Sequence, residues 1–260
     1  MGAFKNAAGK PVLMRMVKGI QDNKAYLGEV DGLIGDGDHG MNMNKGFSVF
    51  EERFKDEDIS FSEGLDELGM ILLNEIGGSM GPIYGTIFMD MAEAGEDLDE
   101  ITAADLGTML EAGLNGLYGI VDAKVGDKTL VDTLAPSVDV MKAAGAEGKD
   151  FKEALEEMKK AAEAGRDSTK DMVAKFGRSS RLGERSRGVL DAGATSCCII
   201  LSAMADGISE LLENRDKRTY HKSFYSMDLE RKVRKIKIKS PGRKESRRFF
   251  YDEVKWLDFS

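Results

Sequence analysis

The sequence predicts an all-α bundle of about eight helices in residues 1–213. Apolar side chains recur every three or four positions along most of this region, which is the period of a half-buried helix. No segment before Asn214 alternates apolar and polar residues for long enough to predict a strand. Glycine-rich turns separate the periodic segments, and glycine permits the sharp changes of direction that connect packed helices.

The periodic segments and their flanking residues set the order of the predicted helices. The third begins at Ser62 with Glu63, the fourth follows Pro82, which suits a first helical turn, and Thr102 caps the fifth. The predicted spans are residues 11–31, 43–54, 62–76, 82–91, 102–118, 130–141, 150–176 and 197–212.

Charge divides the chain into two parts. Residues 214–260 contain 15 Lys and Arg against 7 Asp and Glu, whereas the first 213 residues contain 22 against 39. An acidic body argues against nucleic acid as the main partner. We therefore expect one domain in residues 1–213 and a basic, aromatic-rich extension of unknown order in residues 214–260. The extension could bind nucleic acid or an anionic surface, or dock on the acidic body through its charge. Its abrupt change in composition would also fit a shifted reading frame.

The cysteines and the apolar segments predict the cellular compartment of the protein. Cys197 and Cys198 are adjacent, and neighbouring cysteines rarely pair, so a reducing cytosol fits. The N-terminus lacks the apolar stretch of a signal peptide, and no segment offers the roughly 20 apolar residues of a membrane span. The sequence therefore predicts a cytoplasmic protein without a membrane partner.

Residues 31–46 carry the strongest functional motif. Asp31, Asp36 and Asp38 lie within eight positions, and glycines separate them, so the backbone can turn the three carboxylates toward one point. Three uncompensated carboxylates would repel one another. A hard divalent cation is the natural compensation, and Mg²⁺ held by a few carboxylates keeps positions for water and substrate phosphates. The segment predicts a metal and phosphate site.

Other interpretations of this motif fail or explain less. A solvated turn accounts for any two of the aspartates, but not for the whole set of acids, glycines, His and Asn. An EF-hand requires Gly where the chain has Met41 and Glu where it has Phe47. An Asp-x-Asp phosphatase or glycosyltransferase requires a preceding strand, whereas residues 19–33 are predicted to be helical.

Three later turns carry further polar groups. The glycine cluster of residues 77–86 could cradle a phosphate or allow close helix contact. Residues 126–129 miss the P-loop motif because Asp127 separates Gly from Lys; Asp127 or Thr129 could cap the next helix, and Lys128 could face a phosphate. Residues 177–186 contain three arginines, which suit phosphate oxygens. A rim of turns at one end of a bundle could gather these groups.

Together these motifs resemble the nucleotide-binding L subunit of dihydroxyacetone kinase, the DhaL or DAK2-type family. The resemblance covers roughly residues 5–213. It rests on Asp31 with residues 35–40, on residues 77–82, 126–129 and 182–186, and on residues 191–193, in matching order and spacing. It implies an eight-helix antiparallel barrel that holds ADP or ATP at one end through two Mg²⁺ ions.

The resemblance also implies the site residues. Asp31, Asp36 and Asp38 would bind both metals, and no side chain would act as a catalytic nucleophile, since phosphoryl transfer mainly requires positioning and charge neutralisation. The chain departs from many relatives at Met80, which replaces Ser, and at Ala192, which replaces Pro. The implied nucleotide contacts are His39, Asn42, Gly78, Ser79, Met80, Leu130, Arg178, Asp191 and Gly193.

The implied activity is that of a phosphotransferase with an alcohol group as acceptor. This chain would supply the nucleotide, while a separate K-type subunit holds a short ketose such as dihydroxyacetone or erythrulose. The resemblance leaves open whether the donor is ATP or a phosphohistidine protein of the phosphotransferase system, and whether the chain forms a homodimer. The alternative is a non-catalytic, nucleotide-sensing regulatory or adaptor protein.

Overall fold

The computed structural model describes residues 2–239, with side chains for residues 2–215. Within that range it contains nine α-helices and two short strands, which confirms the predicted all-α fold. Residues Met1–Leu212 form one compact unit. The helices are α1 (Lys10–Asp22), α2 (Lys24–Gly32), α3 (His39–Phe54), α4 (Phe61–Glu75), α5 (Met80–Gly95), α6 (Ala103–Ile120), α7 (Val131–Glu147), α8 (Phe151–Ser168) and α9 (Ala192–Lys239).

The first predicted helix is broken at Asn23 into α1 and α2. The Asn23 side-chain amide donates to the carbonyl oxygen of Gly19 at 2.9 Å, and its backbone leaves the helical region with φ −104° and ψ 9°. Asparagine side chains compete with the helix ladder in this way. The chain restarts at Lys24, so Asp31 lies in the last turn of α2.

Among the other predicted boundaries that differ from the structure, two have similar local reasons. The N-cap of α4 is Ser60 rather than Ser62, because Ser60 and Glu63 form a reciprocal capping box. The predicted helix 150–176 ends at Ser168, where the hydroxyls of Ser168 and Thr169 each donate to a carbonyl of the last turn at 2.6 Å. The predicted Thr102 cap of α6 is confirmed.

Two short strands were not predicted from the sequence. β1 (Ala3–Lys5) pairs antiparallel with β2 (Glu100–Thr102), with Phe4 opposite Ile101. Three residues are too few to establish an alternating pattern. The buried amide of Asn6 follows β1 and donates to the Ser62 hydroxyl at 3.0 Å, which ties the N-terminus to α4.

The helices form a closed antiparallel ring around one apolar core. Lys159 of α8 donates to Asp206 of α9 at 2.7 Å, and α9 approaches α1 so closely that a Cβ on Gly207 would lie 2.9 Å from Cα of Val12. The interior includes fully buried Phe47 and Phe88. Because neighbouring helices in such a ring run in opposite directions, α3, α5, α7 and α9 all begin at one end.

Helix α9 contradicts the expectation that no segment is long and apolar enough to span a membrane. Ala192–Arg215 is long and apolar enough to cross a membrane by length and composition, but 67% of its most apolar window is buried inside the protein, as in a core helix. Residues 240–260 of the predicted extension lie outside the described residues. The division into residues 1–213 and 214–260 stays a prediction.

Candidate metal and phosphate site

A cavity of about 690 Å³ opens at the end of the ring where α3, α5, α7 and α9 begin. Segments that are distant in the sequence therefore share one wall, as the predicted rim of turns requires. All twelve predicted site residues line this cavity, and their roles stay predictions: Asp31, Asp36, Asp38, His39, Asn42, Gly78, Ser79, Met80, Leu130, Arg178, Asp191 and Gly193.

The three loop aspartates form a compact cluster of oxygen donors. One carboxylate oxygen from each of Asp31, Asp36 and Asp38 lies within 4.8 Å of the others. Gly37, with φ +76°, reverses the chain between the last two. Arg178 forms an ion pair with Asp36 across the cavity. A set of carboxylates without thiolates suits a hard cation, so these residues fit Mg²⁺.

The N-termini of three helices lie in the cavity wall. The first turns of α3, α5 and α9 contribute His39, Met80 and Gly193 to its wall. The first N–H groups of a helix have no partner within it, and the helix dipole makes that end positive. Several such ends around one cavity favour a ligand with several phosphate oxygens.

The two interpretations of the second glycine cluster apply to different glycines. A Cβ on Gly77 or Gly78 would have nothing within 4 Å, and Gly78 has φ +75°, so this backbone is open to a ligand. A Cβ on Gly81 would lie 2.7 Å from the carbonyl oxygen of Ile76. Gly81 therefore allows close contact between the ends of α4 and α5, whereas Gly77 and Gly78 leave space beside the cavity.

His39 is buried at the cavity wall and held by a hydrogen-bonded chain. Its Nε2 lies 2.8 Å from the hydroxyl of Ser196, and the Tyr84 hydroxyl lies 2.6 Å from the same oxygen. Burial lowers the pKa of His39 to about 4, against the opposing effect of Asp31. A neutral ring fits a hydrogen-bonding role. Tyr84 and Ser196 could not be singled out from the sequence, because Ser196 lies more than 100 positions from both His39 and Tyr84.

Asp191 lies directly ahead of α9. Its carboxylate accepts a hydrogen bond from the Ala194 N–H at 2.8 Å, and its own N–H donates to the Thr169 hydroxyl at 3.0 Å. Burial raises the pKa of Asp191 to about 6, although the hydrogen bond from Ala194 and the charge of Lys128 oppose the shift. The segment ahead of α9 is thus fixed to the end of α8.

Of the two caps predicted for α7, Asp127 is wrong, whereas the Thr129 hydroxyl does contact the first residue of the helix. Asp127 does not cap the helix; its carboxylate accepts from the Lys124 N–H at 2.8 Å and pairs with Lys175. Asp132 instead accepts from the backbone N–H groups of Gly126 and Thr129, while the Thr129 hydroxyl accepts from the N–H of Val131 at 3.2 Å.

The four basic candidates differ in position. Lys128 lines the cavity, but its ammonium donates to the backbone carbonyls of Thr169 and Val189. Of the three arginines in residues 177–186, the cavity wall includes Arg178, whereas Arg181 and Arg185 lie outside it.

Known proteins are similar to this chain in sequence and in fold. The family described as DAK2 domain matches residues 33–206. The chain is 39% identical over 183 residues to "PEP-dependent dihydroxyacetone kinase, ADP-binding subunit DhaL" of Escherichia coli K12, covering 69% of this chain and 86% of that relative. It is 36% identical over 194 residues to "PTS-dependent dihydroxyacetone kinase, ADP-binding subunit DhaL" of Lactococcus lactis, covering 73% of this chain and 91% of that relative.

A solved structure agrees in fold. The dihydroxyacetone kinase of C. freundii, in complex with AMP-PNP and Mg²⁺, superposes with a TM-score of 0.57 and 22% sequence identity, covering 77% of this chain and 34% of that chain. At this identity the similarity supports the fold alone. The family match and the two bacterial relatives, each covered over most of its length, show that the chain belongs to the DAK2 domain family, in its DhaL branch.

Proposed function

We propose that this chain binds a magnesium complex of ADP or ATP in the cavity and acts as the nucleotide subunit of a dihydroxyacetone-type kinase. One observation carries the proposal: three carboxylates within 4.8 Å of one another share a cavity with the N-termini of several helices. Clustered carboxylates repel one another unless a cation neutralises them, and helix N-termini attract phosphate. A metal-bound nucleotide supplies a cation for the carboxylates and phosphate oxygens for the helix N-termini.

Each part of the wall has a proposed task in phosphoryl transfer. Asp31, Asp36 and Asp38 would hold two Mg²⁺ ions. Bound Mg²⁺ would neutralise the charge of the phosphates. Arg178, now paired with Asp36, can bind a phosphate oxygen when a metal occupies that carboxylate. The open N–H groups near Gly78 contact phosphate oxygens. No side chain needs to act as a nucleophile.

We further propose a phosphate acceptor and donor. The acceptor is a short ketose, such as dihydroxyacetone or erythrulose, held by a separate K-type subunit. The relatives are named as ADP-binding subunits of PEP-dependent or PTS-dependent kinases. Those names favour a phosphohistidine protein that recharges bound ADP over free ATP. The two unpaired cysteines support a reducing, cytoplasmic location.

Exposed apolar side chains support a protein partner at the cavity mouth. Among the residues with described side chains, every large exposed hydrophobic lies in the last two turns of α2, α4 or α6, in the first turn of α3, or in a loop beside the cavity. Such a concentration marks an interaction surface, and a K-type subunit must approach this end to receive phosphate. The residues are Tyr26, Leu33, Met41, Met70, Leu73, Tyr118, Ile120, Val125 and Phe176.

Calorimetric titration of ADP and ATP, with and without Mg²⁺, tests the nucleotide site. The parent chain should bind in the presence of Mg²⁺ and lose binding in EDTA. Asp38→Asn should abolish binding, whereas the matched control Asp58→Asn, which changes an exposed aspartate between α3 and α4, should leave it intact. A folded, nucleotide-free parent that does not bind would refute the proposal.

The kinase proposal is separable from the regulatory alternative. A pure adaptor has no need of clustered carboxylates, so the metal cluster favours the kinase subunit. Adding a K-type subunit, dihydroxyacetone and a phosphate donor should yield the phosphorylated ketose, and deletion of residues 214–260 should leave the rate unchanged. Loss of partner binding on that deletion, without any kinase activity in the full chain, would support the regulator instead.

A further inference from the structure

Lys128 is a fully buried cation in the wall of the cavity. Its relative exposure is 1%, which is rare for lysine. Its ammonium donates to the carbonyl oxygen of Thr169 at 2.5 Å and to that of Val189. The nearby carboxylates of Asp191 and Asp132 favour its charged form, whereas burial lowers its pKa. Hydrogen bonds and neighbouring charges have to offset the free energy of desolvating an ammonium group in this position.

The two carbonyls belong to segments that the fold must hold together. Thr169 follows the C-terminus of α8, where a cation is favourable, and its carbonyl oxygen also accepts a hydrogen bond from the Met172 N–H at 3.2 Å. Val189 lies two residues ahead of Asp191 in the segment that leads into α9. Lys128 itself precedes Leu130, which also lines the cavity. One ammonium group therefore joins the loop ahead of α7 and the segment ahead of α9, which both line the cavity, to the end of α8.

The backbone of Lys128 supports a special role for this residue. Among the described residues, Lys128 is the one non-glycine with a positive φ, +62°. Left-handed backbone is unfavourable for a residue with a long side chain, and it persists where surrounding contacts determine it. The hydrogen bonds that Asp132 accepts from Gly126 and Thr129 fix the loop on either side. The loop thus directs the Lys128 side chain between the segments that contain Thr169 and Val189.

We propose that Lys128 is a positioning residue: its buried ammonium ties the end of α8 to the segment ahead of α9, and so sets Asp191 and Leu130 in the geometry that binds the nucleotide. This inference rests on the proposed function, because its readout is nucleotide binding. It differs from a direct phosphate contact, since the ammonium already donates to two carbonyl groups. Without it, both carbonyls lose a donor, and the segment ahead of α9 is held by fewer bonds.

The test compares Lys128→Met with the matched control Lys142→Met, which removes an exposed lysine of α7 that pairs with Glu111. Mg²⁺-ADP is titrated by calorimetry into each full-length protein at a temperature where it is folded. Hydrogen exchange is measured by mass spectrometry across residues 187–195. We expect Lys128→Met to weaken Mg²⁺-ADP binding about tenfold and to accelerate exchange in that segment, and Lys142→Met to change neither.

The outcomes separate this inference from the proposed function. If the parent does not bind Mg²⁺-ADP, the proposed function fails and the inference fails with it. If the parent binds and folded Lys128→Met binds equally well, the inference alone is overturned. Weaker binding without faster exchange would also overturn it, because that result indicates direct contact with the ligand.

Amine labelling of the parent covers the case in which Lys128→Met does not fold. Reductive methylation should leave Lys128 unmodified both with and without Mg²⁺-ADP, while Lys142 is modified in both states. Modification of Lys128 in the free protein, with protection by Mg²⁺-ADP, would overturn the inference, because the ammonium would then be available to the ligand.

Discussion

Removing one carboxylate from the cluster should stabilise the metal-free protein. In Asp38→Asn the side chain keeps its shape but loses its charge. The Asp38 side chain accepts no cap hydrogen bond at the start of α3, so the substitution sacrifices none there. The variant should therefore melt at a higher temperature than the parent in EDTA, although it loses the proposed ligand.

The expected size follows from the geometry. Repulsion between unit charges 4.8 Å apart is roughly 0.9 kcal/mol at the dielectric constant of water. Asp38 has two such neighbours, so the variant removes about 1.8 kcal/mol of repulsion at this separation, which is the upper limit of each distance. Loss of a negative charge at the N-terminus of α3 offsets about 0.5 kcal/mol of this, and Arg178 screens part of the remainder. A net gain of about 1 kcal/mol corresponds to roughly 2–4 °C for a domain of this size.

Thermal unfolding followed by circular dichroism measures the effect. In EDTA, Asp38→Asn should unfold about 2–4 °C above the parent. With excess Mg²⁺ and ADP the order should reverse, because ligand binding stabilises the parent alone. Asp58→Asn should follow the parent in both conditions. A lower melting temperature for Asp38→Asn in EDTA would refute the reasoning, since the cluster would then be stabilised by something other than a bound cation.

Three further predictions concern packing, capping and pH. Gly81→Ala should destabilise the protein by about 1–3 kcal/mol in urea unfolding, because its Cβ would meet the carbonyl oxygens of Leu72 in α4 and of Ile76 just after it. Gly77→Ala, with open space, should be close to neutral, and equal effects would contradict the contact. Ser60→Ala should cost about 1 kcal/mol by removing the capping box of α4 and leave Mg²⁺-ADP affinity unchanged. Because the pKa of folded Asp191 is raised to about 6, this carboxyl binds more protons in the folded protein than in the unfolded chain between about pH 4 and pH 6, so its contribution to stability falls as pH rises through that window. His39, whose pKa is lowered to about 4, contributes a rise in stability over the same window. Asp191→Asn removes the falling contribution, so its stability in urea titrations should rise more steeply from about pH 4 to pH 6 than that of the parent, and an unchanged slope would contradict the shift.

The local parts of the site could be predicted from the sequence. Three aspartates separated by glycines lie close together wherever the loop folds tightly, so Asp31, Asp36 and Asp38 needed no tertiary information. The alternation of helices and turns also predicted that the turns would meet at one end. Roles such as that of Leu130 came from the resemblance to a family and stay proposals.

Long-range contacts could not be predicted in this way. Lys128 finds its carbonyl partners 41 and 61 residues later in the chain, so its motif alone left phosphate binding open. The break at Asn23 was hidden because the apolar period continues through it, and a side-chain amide competing with the backbone leaves no periodic trace. Apolar spacing through Met172 likewise concealed the end of α8 at Ser168.

A crystal structure of the full chain grown with Mn²⁺ and ADP, with anomalous diffraction measured for manganese, tests the central claim most directly. Mn²⁺ prefers the same oxygen ligands as Mg²⁺ and can be located by its own scattering. The account predicts two manganese peaks against the carboxylates of Asp31, Asp36 and Asp38, with the phosphates of ADP between them and the helix N-termini. Nucleotide bound elsewhere, or a cavity that contains ADP without manganese at these aspartates, would contradict it.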